Sequence, residues 1–306
     1  MRKIEVRPLH AIFASVRCNF RGFFKNPVVI LTFIMAFILS YLLSIRVMEV
    51  AEYFECSVQM AEPFIWIFGD PTSIMLTSIL LIFLFSDMPK LNAAAPFYLM
   101  RITKRQWLIG QFLYIVFATC IYTGVIMLFT CLLCARYSYV GNIWSKTAMY
   151  LAYSSIGTEM NVPSTVKVME SVKPYTCMFW IGGLLLCYCL TLVFLMMAAK
   201  LYLNRKSGIF VGFLYSLYGM LLDKDTLRML IGWDEFEMYR VNSLISWISP
   251  LNHAAYGMHD FGHDNQPSLQ QSVLIFAGIL LALFLLSAFA MKRYNFTFLT
   301  TQGNEE

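Results

Sequence analysis

The chain alternates long apolar runs with polar connections, and six of these runs are candidates for membrane-spanning helices. A helix needs about 20 apolar residues to cross roughly 30 Å of hydrocarbon, whereas barrel strands alternate in polarity over about 10 residues. The pattern therefore predicts an all-α integral membrane protein with six transmembrane helices in a single domain, 1–306. The predicted spans cover approximately residues 27–45, 64–86, 107–134, 175–199, 209–222 and 272–291.

The fifth run, 209–222, is short for a membrane span. It either takes residues from its polar flanks or stops inside the protein, and its exact extent stays open. The segment that follows, 223–271, mixes apolar patches with charges at roughly helical spacing. This pattern predicts amphipathic or partly re-entrant helices on the external face before the last span, because broken backbone at membrane depth needs protein or water around it.

The segment before the first span, 1–26, has the pattern of an amphipathic helix. The apolar residues that recur on one face at helical spacing are Leu9, Ile12, Phe13, Val16, Phe20 and Phe23. Arg17, Arg21 and Lys25 fall on the adjacent face. Such a helix lies in the membrane interface with its cations near anionic lipid headgroups. The alternative is a plain extension of the first span, although Asn26-Pro27 favours a break between them.

Composition excludes an ordinary soluble protein. Of the 306 residues, 59% are hydrophobic and 13% are charged, whereas soluble chains carry roughly 45–50% apolar and about 25% charged residues. So few charges cannot cover a surface that faces water. The composition therefore agrees with the apolar runs in predicting a membrane protein.

The distribution of charge predicts the orientation of the chain. Most basic residues lie before the first span, between the second and third, between the fourth and fifth, and after the sixth, whereas most acidic residues lie in the other connections. Basic residues mark cytoplasmic segments, so both termini are predicted in the cytoplasm of a multi-pass cytoplasmic (plasma) membrane protein. The net charge of +5 reflects this topology, and no nucleic acid is expected as a partner.

The apolar runs lack the ionisable residues that couple transport to ions. Their centres contain no acidic, basic or histidine residue, and Asp70 lies near the outer end of the second run. The chain also lacks a phosphate-binding loop of the form G-x-x-x-x-G-K-[ST] and any convincing acid–base pair. We therefore expect no enzyme activity, no catalytic residue and no directly bound cofactor.

The histidine and cysteine patterns are weak as metal or redox motifs. His259 and His263 have a zinc-like spacing, but Gly262 weakens a helix there and no third ligand is evident, so no metal is predicted. Most of the eight cysteines lie in apolar runs and are expected to pack as small hydrophobes. The alternative is a disulfide between Cys56 and either Cys134 or Cys177 in an oxidising compartment.

Two stretches resemble a known family of membrane proteins. "FYLMRITKRQWLIGQFL", 97–113, places Arg101 and Arg105 in an R-x-x-x-R turn at the start of the third span, and "WISPLNHAAYGM", 247–258, precedes the last span. Together with the order of the elements, these stretches resemble the permease subunit of ABC-2-type transporters over nearly the whole chain.

The resemblance implies a set of partners and a docking element. It implies a second permease copy, or a related permease, and separate ATP-binding cassette ATPase subunits, which bind the ATP. The first cytoplasmic loop would form the coupling helix that docks on the ATPase, over 89–101. The residues that the resemblance assigns to this ATPase-coupling helix and the following turn are Pro89, Lys90, Leu91, Phe97, Tyr98, Arg101 and Arg105.

The expected function is therefore the membrane-spanning permease subunit of an ATP-driven exporter. The aromatic-rich, charge-free spans suit a lipophilic or amphipathic substrate, such as a peptide, an antibiotic-like compound or a lipid-linked molecule. The substrate-binding residues, the direction of transport and the choice between a homodimer and a heterodimer stay open. The alternatives are an ATP-independent transporter or channel, or an intramembrane enzyme.

Overall fold

The computed structural model describes residues 8–89, 102–154, 156–159, 162, 166–203, 207–222, 224–232, 234–262 and 265–293. These residues are mostly helical. The helices are α1 Pro8–Phe20, α2 Pro27–Tyr53, α3 Glu62–Gly69, α4 Pro71–Leu84, α5 Lys104–Leu133, α6 Lys146–Tyr153, α7 Ile156–Glu159, α8 Val166–Ser171, α9 Pro174–Tyr202, α10 Ser207–Leu221, α11 Lys224–Ile231, α12 Met238–Ile248, α13 Pro250–Ala254 and α14 Leu269–Arg293.

Four of the described helices, α2, α5, α9 and α14, are long and apolar enough to cross a membrane. A fifth span results if α3 and α4 together are counted as one broken span. Helix α10 is apolar but has 15 residues, a length of roughly 22 Å at 1.5 Å per residue. The six predicted spans therefore correspond to four long helices, one bent pair and one short helix.

The second predicted span, 64–86, is not the continuous helix that its hydropathy suggested. Helices α3 and α4 meet at an angle of 87°. Asp70 lies at the corner with φ −90° and ψ 125°, because the residue before a proline avoids the helical region, and Pro71 then begins α4. A proline in an apolar run thus produces a broken span or a re-entrant loop.

Polar side chains fix the beginning of two long helices. Asn26 caps α2, its side-chain oxygen accepting a hydrogen bond of 3.0 Å from the Val28 N–H. Thr103 and Gln106 form a capping box at the start of α5, each side chain accepting a hydrogen bond from the backbone N–H of the other residue. These caps set where each helix begins after a polar connection.

Helix α9 is the centre of the bundle. Of the 18 residues that form its most apolar stretch, 72% are buried inside the protein. The corresponding stretches of α2 and α14 are only 28% and 22% buried. It packs against α3, α4, α5, α10, α13 and α14. Helices α2 and α14 consequently present most of their apolar surface outwards, as expected of helices that face lipid or a second subunit.

Short connections close the two ends of the bundle. We call the end predicted to face the cytoplasm the inner end; α4 ends and α5 begins there. The opposite end, where α3 begins, is the outer end. At the outer end, β1 Val58–Gln59 and β2 Ser138–Tyr139 form a short parallel pair. The segment predicted as amphipathic, 223–271, contributes α11, α12 and α13 before the last helix.

Candidate functional site

The predicted ATPase-coupling segment lies mainly outside the described residues. Lys90, Leu91, Phe97, Tyr98 and Arg101 belong to 90–101, so their docking role stays a prediction. Two further predicted residues are described: Pro89, which is half-buried just after α4, and Arg105, which is exposed in the first turn of α5. The described residues on either side of the predicted segment, Pro89 and Ile102, both lie at the inner end of the bundle.

Helix α1 packs against the first half of α5. Its buried face includes Ile12, Ser15 and Val16, and a Cβ atom added at Gly110 of α5 would lie 2.8 Å from Ser15 Oγ. The Phe20 ring meets the Tyr114 ring edge-on, with 4.8 Å between their centroids. A glycine at position 110 therefore allows the close approach of the two helices.

The exposed side of α1 and the turn after it carry the predicted cations together with exposed apolar side chains. Arg17 is exposed on α1, whereas Arg21 and Lys25 are exposed beyond it, because the helix ends at Phe20 and does not continue through the predicted segment to residue 26. Leu9 and Phe13 are 69% and 58% exposed, although the sequence pattern had placed them on the same face as the buried Ile12. The helix thus has one apolar stripe against α5 and a second, exposed stripe next to its cations, which is the composition of an interfacial helix.

Lys200, near the end of α9, is a buried cation at the inner end. Its side chain is 5% exposed, and its ammonium group donates hydrogen bonds to the carbonyl oxygens of Phe85, at 3.2 Å, and Ser86, at 2.5 Å. These carbonyls follow the last turn of α4, where a helix carries partial negative charge. The contact joins the end of α4, just before the predicted coupling segment, to the central helix.

Side-chain hydroxyls meet in the middle of the bundle, where α4, α5, α9 and α10 pack together. Ser78 Oγ and Ser216 Oγ are 3.0 Å apart, and the Tyr122 hydroxyl donates to the Thr77 carbonyl at 2.8 Å. The Tyr188 and Tyr215 rings stack with 5.2 Å between their centroids. We call these residues the hydroxyl seam: Thr77, Ser78, Tyr122, Tyr188, Tyr215 and Ser216.

Two hydroxyls of the seam are buried without a hydrogen bond. The Tyr188 hydroxyl lies near Ser78 and Ser216, and that of Tyr215 near Thr191, but neither has a partner at normal geometry. An unsatisfied buried polar group costs about 1–3 kcal/mol. Each of these two hydroxyls therefore has a hydrogen-bond donor that is not used.

At the outer end, the buried carboxylate of Glu62 connects two distant segments. One oxygen accepts hydrogen bonds from the Gln59 N–H at 2.9 Å and the Ser145 hydroxyl at 2.6 Å. The other oxygen accepts from the Ser145 N–H at 2.7 Å. The carboxylate is thus satisfied by three donors, and it fastens the start of α3 to the start of α6.

A second polar cluster at the outer end joins the segment before the last helix to α14. His253 Nδ1 and His259 Nε2 lie 2.8 Å and 2.9 Å from Ser272 Oγ, and all three residues are buried. The remaining ring nitrogens face the carbonyls of Trp247 and Tyr256. Burial lowers the pKa of His253, and it lowers the pKa of His259 to about 4.

His259 is therefore a hydrogen-bonded packing residue in this arrangement. The described residues contain no group of three histidine, cysteine or acidic side chains placed to hold a metal ion, and His263 lies outside them. All eight cysteines are described, and each is a free thiol, so the alternative disulfide from Cys56 does not form here.

Sequence reasoning missed the partners of Glu62, Lys200, His253 and His259. Each of these side chains is charged or titratable but stands next to apolar residues, which is a signal of burial with a polar partner. The partners lie far away in the sequence, so this signal identifies the buried residue without identifying what it binds.

No family model, curated protein or solved structure matches the chain.

Proposed function

We propose that the protein is the membrane-spanning permease subunit of an ATP-driven exporter, working with a separate ATPase subunit. The proposal rests on the arrangement at the inner end of the bundle. There α1 packs on α5, and the predicted coupling segment starts just after the backbone carbonyl of Ser86 that Lys200 binds. A short helix with an apolar face and cationic rim suits docking in a groove of a partner. Both termini and this end are proposed to face the cytoplasm.

The transmembrane part of the proposal has six crossings. Helices α2, α5, α9 and α14 supply four, α3 and α4 supply a broken crossing, and the short α10 continues into the amphipathic helices of the outer end. The exposed apolar surfaces of α2 and α14 fit lipid and a second permease copy. Closure of ATP-bound partner subunits would then move the inner end and alternate access.

The hydroxyl seam supports a substrate that is largely apolar but carries uncharged polar groups. The buried lysine Lys200 and the buried glutamate Glu62 lie at the two ends of the bundle and outside the seam. A charged substrate would find no counter-charge among the seam residues, whereas the Tyr188 and Tyr215 hydroxyls suit a carbonyl or ether oxygen. A lipophilic peptide, an antibiotic-like compound or a lipid-linked molecule meets this requirement.

The same seam favours one alternative, an ATP-independent transporter or channel, because such a protein needs a polar path through its spans. Co-expression with an ATPase encoded by a neighbouring gene separates the two functions. If the protein is the exporter subunit, we expect it to purify as a stable complex with that ATPase. The complex should hydrolyse ATP, and this activity should be lost when the phosphate-loop lysine of the ATPase is replaced. A chain that never binds the ATPase would contradict the exporter function.

A further inference from the structure

Lys200 is the one lysine or arginine that is buried among the described residues. Its ammonium group touches the carbonyls of Phe85 and Ser86, and its side-chain stem lies against α10. Three elements therefore meet on one side chain: the end of α4, the end of α9 and the start of α10.

The environment of the ammonium group makes this contact difficult to break. A buried charge costs several kcal/mol unless hydrogen bonds compensate it, and here carbonyl oxygens at a helix C-terminus do so. If the end of α4 moved alone, Lys200 would lose these carbonyls while still covered by protein. A displacement of the end of α4 is consequently favoured only when α9 follows it.

Gly208 couples α10 to the same side chain. A Cβ atom at position 208 would lie 2.4 Å from Lys200 Cγ and 2.5 Å from Lys200 Cε, so α10 can approach only because this residue is glycine. The Ser207 hydroxyl also donates to the Ala199 carbonyl at 3.1 Å. The start of α10 is thus fitted to the lysine stem and to the last turns of α9.

We propose that Lys200 is a positioning residue that makes the end of α4, α9 and α10 move as one unit. It would carry a displacement of the predicted coupling segment to α10, which contributes Tyr215 and Ser216 to the hydroxyl seam. The transmission role rests on the proposed function, because it requires an ATPase that moves the segment. The mechanical link itself does not depend on that function.

The link can be tested on the purified chain alone. Met88, 3% exposed, follows the two carbonyls that Lys200 holds, so a cysteine placed there reacts with a maleimide only when the end of α4 opens. In a Met88→Cys background, Lys200→Met keeps the apolar stem and removes the hydrogen bonds. We expect at least tenfold faster labelling of this thiol, measured against the same chains without the added cysteine.

Lys292→Met is the matched control, because it removes an exposed lysine at the end of α14. It should leave the labelling rate unchanged, and Lys200→Arg should give a smaller increase than Lys200→Met. Each variant is compared only as a chain that elutes as a single species and melts cooperatively. Equal labelling rates in folded Lys200→Met and wild-type backgrounds would overturn the link.

The transmission role is tested in the complex with the ATPase. Leu221, at the far end of α10, is 73% exposed, so a cysteine placed there can be labelled. We expect its labelling rate to differ at least threefold between the complex without nucleotide and the complex trapped with ATP and vanadate. Lys200→Met should keep ATPase binding but lose this response. The transmission role is wrong if the Lys200→Met variant keeps this change in labelling rate, or if the chain with Lys200 shows no change. If the chain does not bind the ATPase at all, the proposed function is wrong, but the Met88→Cys measurement of the link remains valid.

Discussion

The Glu62 carboxylate accepts hydrogen bonds from both the N–H and the hydroxyl of Ser145, which lies 83 positions later in the chain. This contact, with the Gln59 N–H as a third donor, holds two outer connections beside the β1–β2 pair. A buried carboxylate that bonds to neutral donors thus joins two connections at the outer end.

Replacing Glu62 with Ala should destabilise the protein strongly. Three buried donors would lose their acceptor, and each orphaned group costs about 1–3 kcal/mol. We expect a large fall in melting temperature in detergent, and a smaller fall for Glu62→Gln, which keeps one acceptor oxygen. Glu170→Gln, which changes an exposed carboxylate bonded to Tyr153, is the control and should have little effect. A Glu62→Ala melt equal to that of the control would contradict this role.

The His253–Ser272–His259 cluster should make the outer end sensitive to acid. The ordinary histidine pKa is 6.5, and burial lowers that of His259 to about 4, so folding favours the neutral imidazole. The contribution to stability is complete above pH 6.5 and is lost as the pH falls from 6.5 towards 4, by about 1.4 kcal/mol per pH unit.

Hydrogen exchange of 247–259 measures this effect directly. Exchange corrected for its intrinsic pH dependence should be faster at pH 5 than at pH 7.5. His259→Gln, which cannot take up a proton, should show a smaller difference between the two pH values. The prediction fails if this segment is equally protected at both pH values, or if His259→Gln keeps the whole difference.

The two tyrosine environments in the hydroxyl seam predict opposite results for the same substitution. Tyr122→Phe removes a hydrogen bond to the Thr77 carbonyl and should cost about 1 kcal/mol. Tyr188→Phe removes a hydroxyl that has no partner, so stability should stay equal or rise while transport of a substrate with acceptor oxygens falls. Equal destabilisation by the two substitutions, measured by thermal melts, would show that Tyr188 is hydrogen-bonded after all.

The contact between α1 and α5 should depend on Gly110. Gly110→Ala places a methyl group 2.8 Å from Ser15 Oγ, which should push α1 away and increase proteolysis of α1. Adding Ser15→Gly should restore protection, because it removes the side chain that the methyl group meets. Gly124→Ala, in open space on the same helix, should leave proteolysis unchanged. Unchanged proteolysis in Gly110→Ala would show that α1 does not need this close approach.

The sequence was informative where one local rule decides the structure. Apolar run length predicted α2, α5, α9 and α14, and Asn26-Pro27 predicted the break before α2. The corner at Asp70 was missed because hydropathy does not register backbone direction, although Pro71 was a visible reason to expect it. The number of crossings is likewise not fixed by hydropathy when one run bends by 87° and another is short.

Contacts between distant residues could not be read from the sequence. Periodicity placed Leu9 and Ile12 on one face of α1, but only the position of α5 decides that Ile12 is buried and Leu9 exposed. In the same way, Lys200 looked like one of several basic residues in an inner connection. Its burial follows from the approach of Gly208 and the end of α4, which are properties of the folded bundle.

Binding of the ATPase through 89–101 is the central claim, and one affinity measurement tests it most directly. The wild-type chain is compared with Phe97→Ala/Arg101→Ala and with Lys292→Ala, an exposed cation outside the segment, for binding to the ATPase of the neighbouring gene. We expect wild-type and Lys292→Ala chains to bind equally and the double variant at least tenfold more weakly, with unchanged membrane insertion. Undiminished binding by the double variant, or no binding by the wild-type chain, would contradict the account.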